Sequence, residues 1–131
     1  MRTARRDAER RAVAALQELL GTHHRGPLKP RFVALGVGSD VDPFTLGNLH
    51  IRAHAREGRF YREVLETAAT ALGMRSILLV ERNAFGTASR VLSCAPAELK
   101  QTLATTGKAA GRPWRRDEQF AMLGAWVALV S

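Results

Sequence analysis

Apolar residues recur at helical spacing through residues 4–20. Ala8, Ala12, Ala15, Leu16, Leu19 and Leu20 fall to one side, while Arg5, Arg6, Arg10 and Arg11 take the other. This pattern predicts a first helix that stops at Gly21. Residues 21–30 hold two Gly and two Pro, which defeat regular structure and predict a linker containing His23 and His24. The chain then divides into a basic helix with its linker, 1–30, and an α/β domain, 31–131. On that division the helix is an appendage whose basic face could serve as an arm.

Phe32-Val33-Ala34-Leu35-Gly36-Val37 is an unbroken apolar run, as is Ser76-Ile77-Leu78-Leu79-Val80 apart from its first residue. Short runs of this kind suit strands covered on both faces. Between them, Phe44-Thr45-Leu46 and Leu49–His54 flank Gly47-Asn48, which predicts a hairpin. Leu49, Ile51 and Ala53 would face inward, and His50, Arg52 and His54 outward. The competing reading starts a helix at Asn48 and runs it to residue 72. Residues 55–72 are helical either way, with Phe60, Val64, Ala68 and Leu72 as the buried stripe and Gly73 as the stop. Residues 84–90 suggest a short helix and Arg90–Cys94 a brief strand. Pro96 opens a helix to about Thr105, with Glu98 in its first turn. A Gly- and Lys/Arg-bearing loop, 106–114, leads to a last helix, 117–130, apolar on most sides. The order is β-β-β-α-β-α-β-α-α after the first helix, a mixed sheet flanked by helices.

Charge adds a partner to this picture. The net charge is +8, and 17 of the 20 basic residues are Arg. Residues 31–81 balance six basic residues with six acidic ones, whereas residues 1–30 and 82–131 each hold seven against three. A basic surplus attracts polyanions, chiefly nucleic acid; an Arg- and Ala-rich composition is also what a GC-rich genome encodes. No apolar run approaches the ~18 residues of a membrane span, so no membrane partner is expected. The N-terminus lacks the apolar stretch of a secretory signal. Cys94 is the lone cysteine, which excludes an internal disulfide and fits a reducing, cytoplasmic compartment.

Several short segments point to one family. The run Ala34-Leu35-Gly36-Val37-Gly38 looks like an opening strand, and Glu81 closes the second long strand. Ala95-Pro96-Ala97-Glu98-Leu99-Lys100 is followed by Gly107-Lys108-Ala109 and Asp117-Glu118-Gln119. With the element order, these resemble the RNase H-like fold, and within it the RuvC-type Holliday-junction resolvases, over residues 31–131. The resemblance implies an α/β, RNase H-like mixed sheet that binds nucleic acid, either a Mg²⁺-dependent nuclease or a catalytically lapsed relative. Gly38 stands where the family carries its first catalytic acid, and Asp40 and Asp42 come later.

The candidate chemistry follows from placement. Two parallel neighbouring strands would end at one sheet edge, where sites in open α/β sheets gather. Asp40, Asp42 and Glu81 could converge there, with Asp117 or Glu118 added from the last helix, as catalytic residues and Mg²⁺ ligands for phosphodiester hydrolysis. The alternative is that the Asp residues end strands and that Asp117 and Glu118 cap a helix. Lys100, Lys108, Arg112, Arg115 and Arg116 crowd seventeen residues with Trp114 among them, a nucleic-acid-binding mixture of phosphate-neutralising cations and an indole able to stack on a base. A solvated loop anchored by Trp114 is the alternative.

His50 and His54 are four apart with Glu57 beyond. On a helix all three would share a face as an incomplete zinc set, without the Glu of a His-Glu-x-x-His protease motif. Cys94 reads as an inert buried thiol. Gly36-Val37-Gly38 lacks the third Gly of a dinucleotide fingerprint. A reading from another class is a non-enzymatic interaction protein that forms a homodimer or docks through its apolar last helix, where Trp126 lies.

Overall fold

The structure is a computed structural model that describes residues 2–23, 26, 27, 29–38 and 47–131. Its elements run α1 (Arg2–His23), β1 (Phe32–Val37), α2 (Leu49–Ala71), β2 (Arg75–Val80), a single 3-10 turn (Glu81–Asn83), α3 (Ala84–Leu92), α4 (Pro96–Ala110) and α5 (Arg116–Leu129). β1 and β2 pair in parallel as a two-stranded sheet. The chain gathers into two compact units. One falls within Met1–Val33 and Asp40–Ser76, the other comprises Ala34–Ser39 and Ile77–Ser131.

In the first unit α1 packs on α2. Ala8, Ala12, Val13, Leu16 and Leu20 form its partly buried stripe, at the spacing that puts residues on one helix face. Arg5 ties the pair together: its Nε donates to Glu9 at 3.0 Å and its Nη atoms reach Glu63 of α2 at 3.4 Å. Exposed ion pairs of this kind are screened by solvent and contribute little, so the apolar seam carries most of the packing. The α1 helix is therefore docked on α2 rather than free as an arm.

The ends of α2 are both explicit in the sequence. The Asn48 side chain accepts hydrogen bonds from the backbone N–H groups of His50 (2.9 Å) and Ile51 (3.2 Å), satisfying two of the unpaired donors of a helix start. At the far end Gly73 takes φ 78°, and Gly73 and Met74 donate back to Thr70 and Ala69 at 3.0 and 2.9 Å. That is a Schellman closure, which needs a residue comfortable in the left-handed region.

The second unit holds a core of Leu79, Ala84, Ala88, Leu99, Leu103, Leu123 and Val127, with Ile77, Leu92, Trp114, Phe120, Met122 and Trp126 packed against it. Leu99, Leu103 and Gly107 are the buried i, i+4, i+8 row of α4. Small residues let β1 approach α5. A Cβ on Gly36 would fall 2.4 Å from Cε1 of Phe120, and one on Gly124 would fall 2.9 Å from the Ala34 Cβ.

Four sequence expectations are corrected here. The RNase H-like mixed sheet is absent: the described residues are mostly helical, with two parallel strands only. Residues 49–54 belong to α2, not to a hairpin. Leu49 and Ile51 are 75% and 54% exposed, so no buried face rewards a strand there, whereas the Asn48 cap rewards a helix. Residues 44–46, the other arm of the expected hairpin, lie outside the described residues. Arg90–Leu92 finish α3 rather than forming a strand, because Ala84 and Ala88 bury the face of one continuous helix. Ser93, at φ 51°, then ends it. Finally, α1 runs through Gly21, and α4 runs through Gly107 to Ala110; a glycine costs a helix only about 1 kcal/mol, and at Gly107 packing against Trp114 offsets it.

Candidate nucleic-acid interface

The carboxylates come first. Asp40 and Asp42 lie outside the described residues. Glu81 begins the 3-10 turn directly after β2, at the strand end where it was expected. What the first turn of α5 brings to it is a cation: Nη2 of Arg116 lies 3.0 Å from the Glu81 carboxylate. Asp117 and Glu118 occupy that first turn, where an anion complements the helix dipole. Glu118 reaches back to accept from the Arg115 backbone N–H at 2.8 Å and from its guanidinium at 3.1 Å. Those hydrogen bonds, the guanidinium's foremost, hold its carboxyl below the ordinary value for glutamate.

Among the described residues no three His, Cys, Asp or Glu side chains come close enough to hold a metal ion. The expected Mg²⁺ set thus has two members outside the described residues and a third engaged with Arg116. No step is derived through that ion.

The basic residues form a contiguous stretch. From Leu99 to Arg116 the chain carries Lys100, Lys108, Arg112, Arg115 and Arg116 and no acid. It runs along α4, around a loop at Gly111–Arg115, and into α5. Lys100 and Lys108 are exposed and two helical turns apart, so their Cα atoms are about 12 Å apart along one side of α4. Lys100 Nζ lies 5.7 Å from the centre of the Phe85 ring, a cation–π contact. Lys108 sits in the last turn of α4, where a cation complements the helix C-terminus. Arg112 is exposed on the loop.

Arg115 and Arg116 are matched by Glu118 and Glu81. Lys100, Lys108 and Arg112 have no acidic partner among the described residues. Arg82 and Arg90, exposed in the same unit, are likewise without one. Sequence reasoning missed this pair because nothing links them to the run until the fold is known.

Trp114 is an anchor. Its indole covers the bare Cα of Gly107 and packs against the core, and the Nε1 atom is buried without a hydrogen-bond partner among the described residues. One ring face is therefore occupied by α4, and the loop is held to the helix. The apolar last helix is likewise committed inward. Leu123, Val127 and Ala128 are buried and Trp126 packs on the core, leaving Leu129 and Val130 exposed at its end.

Cys94 is partly buried beside Glu98, and burial followed by the neighbouring carboxylate pushes its thiol up, away from nucleophilic use. In the first unit, Thr3, Arg6, Arg10, Val13 and Gln17 of α1 line a surface groove of about 700 Å³ with Thr67 and Ala71 of α2. Arg10 there is paired with Asp7.

No described helix is long and apolar enough to cross a membrane. Comparison of the chain with protein-family models, with curated proteins and with solved structures finds no match in any of the three.

Proposed function

We propose that the protein is a cytoplasmic nucleic-acid-binding protein that grips the phosphate backbone through the α4–α5 segment. One observation carries this reading. Seventeen consecutive residues hold five cations and no acid, and three of the cations, Lys100, Lys108 and Arg112, stand exposed without acidic partners among the described residues. An uncompensated row of this kind attracts polyanions because neutralising phosphates releases condensed counterions.

The contacts would be to phosphate and not to base edges, so binding is expected with little sequence preference. Lys108 and Arg112 are the main phosphate ligands. Lys100 supports them from the previous turns, and Arg115 and Arg116 add charge already shared with Glu118 and Glu81. Trp114 acts by fixing the loop that carries Arg112. The α1 helix also carries exposed arginines without acidic partners among the described residues, Arg2, Arg6 and Arg11, but it is a weaker candidate because Asp7 and Glu9 lie among them and Arg5 and Arg10 are tied to acids within their own unit.

The test is binding of the whole chain to labelled DNA and RNA duplexes over a range of salt. Binding that weakens steeply with salt is expected. Absence of binding at low salt overturns the proposal.

A further inference from the structure

We infer that His50 and His54 form a two-imidazole site for a divalent late first-row metal ion, of which Zn²⁺ and Cu²⁺ are the probes. The inference is independent of the proposed nucleic-acid role, and its residues lie in the other unit.

Helix α2 begins at Leu49, so positions 50 and 54 are one turn apart on the same face. The two rings are exposed and adjacent, with centres 4.7 Å apart and planes at 87°. An ion held about 2.0 Å from an imidazole nitrogen lies roughly 3.2 Å from the ring centre, so two imidazoles at a tetrahedral angle on one ion have centres about 5 Å apart. The observed centre-to-centre distance is close to that spacing, and chelation requires the rings to turn about their side-chain torsions until one nitrogen of each faces the ion.

The surroundings suit a cation. Glu57 falls on the histidine side of the helix, whereas Arg52, Arg56 and Arg59 project from the opposite side by helical geometry. Imidazole also prefers the later first-row ions over Mg²⁺ or Ca²⁺. Among the described residues no third ligating side chain joins the pair, so water or an added ligand would fill the remaining positions. The site is therefore open, unlike a closed structural zinc site with four protein ligands.

The whole metal-free chain is titrated with Zn²⁺ by calorimetry and, separately, with paramagnetic Cu²⁺ while the imidazole C–H resonances are followed by NMR. One ion per chain is expected, with selective broadening of the His50 and His54 signals. His50→Gln and His54→Gln should each weaken Zn²⁺ binding roughly tenfold or more, since each removes one of two chelating ligands. Gln keeps the helix propensity at a surface position, so far-UV circular dichroism should not change. The His23→Gln/His24→Gln variant is the control for the other two histidines and should bind as the parent does. No saturable binding, unchanged binding in His54→Gln, or broadening confined to His23 and His24 would each overturn the assignment.

Discussion

The indole of Trp114 fills the space in which a side chain at Gly107 would begin: a Cβ there would lie 2.3 Å from Cδ1 and 2.4 Å from Nε1 of the indole. This contact joins the last turns of α4 to the loop that carries Arg112, so the shape of the basic segment depends on it. Gly107→Ala is expected to destabilise the protein by about 1–3 kcal/mol, because an overpacked interior must shift side chains or backbone. Chemical denaturation checks this. Trp114 fluorescence should report a displaced indole in the same variant.

Gly36 and Phe120 stand in the same relation where β1 meets α5. Gly36→Ala should cost about 1–3 kcal/mol alone. Combined with Phe120→Leu, which withdraws the ring, the two losses should add to less than their sum, as contacting residues do. A double-mutant cycle by urea unfolding measures that coupling, and strict additivity would show that the two do not touch.

Ser93 is a non-glycine residue in the left-handed region, at φ 51°, closing α3 with Cys94 N–H bonded to Ser89 at 3.0 Å. Glycine adopts this conformation without the Cβ penalty. Ser93→Gly should therefore stabilise by about 0.5–1 kcal/mol, read as a higher unfolding midpoint with an unchanged slope.

Glu118 supplies a pH dependence. Its carboxyl is held below its ordinary value, first by the Arg115 side chain and then by backbone hydrogen bonds. A depressed carboxylate contributes stability that is full above the unfolded value, about 4.3, and is lost as pH falls through the lower folded value. Glu118→Gln should accordingly be less stable than the parent at neutral pH. The gap between them should close on acidification, which unfolding curves collected from pH 7 downward would show.

The two strands, the start of α4 at Pro96 and the deep packing of α5 are legible in the sequence because each is set by a strong local signal: an unbroken apolar run, an N1 proline, a helix apolar nearly all round. The hairpin expected at residues 44–54 fails for a physical reason. Leu49, Ile51 and Ala53 alternate over only three positions, which a helix tolerates as well, and the deciding feature is a single side chain, Asn48, folding back on two N–H groups. Arg90–Leu92 mislead similarly: their strand preference is local, while the burial of Ala84 and Ala88 that keeps them helical is tertiary. Gly107 looks like a loop residue until Trp114 is seen against it.

The basic run is fully visible in the sequence, since it depends only on contiguity. Its division into matched and unmatched cations is not. Arg116 meets Glu81 across 35 positions, and only the fold brings them to 3.0 Å.

In the proposed binding mode, cations of the α4–α5 segment grip phosphate. The most direct measurement is the salt slope of duplex affinity in the parent and in Lys108→Ala/Arg112→Ala. Log affinity should fall linearly with log salt, and the double variant should bind more weakly at every salt with a slope smaller by about 2. An identical slope in parent and variant would mean that Lys108 and Arg112 touch no phosphate.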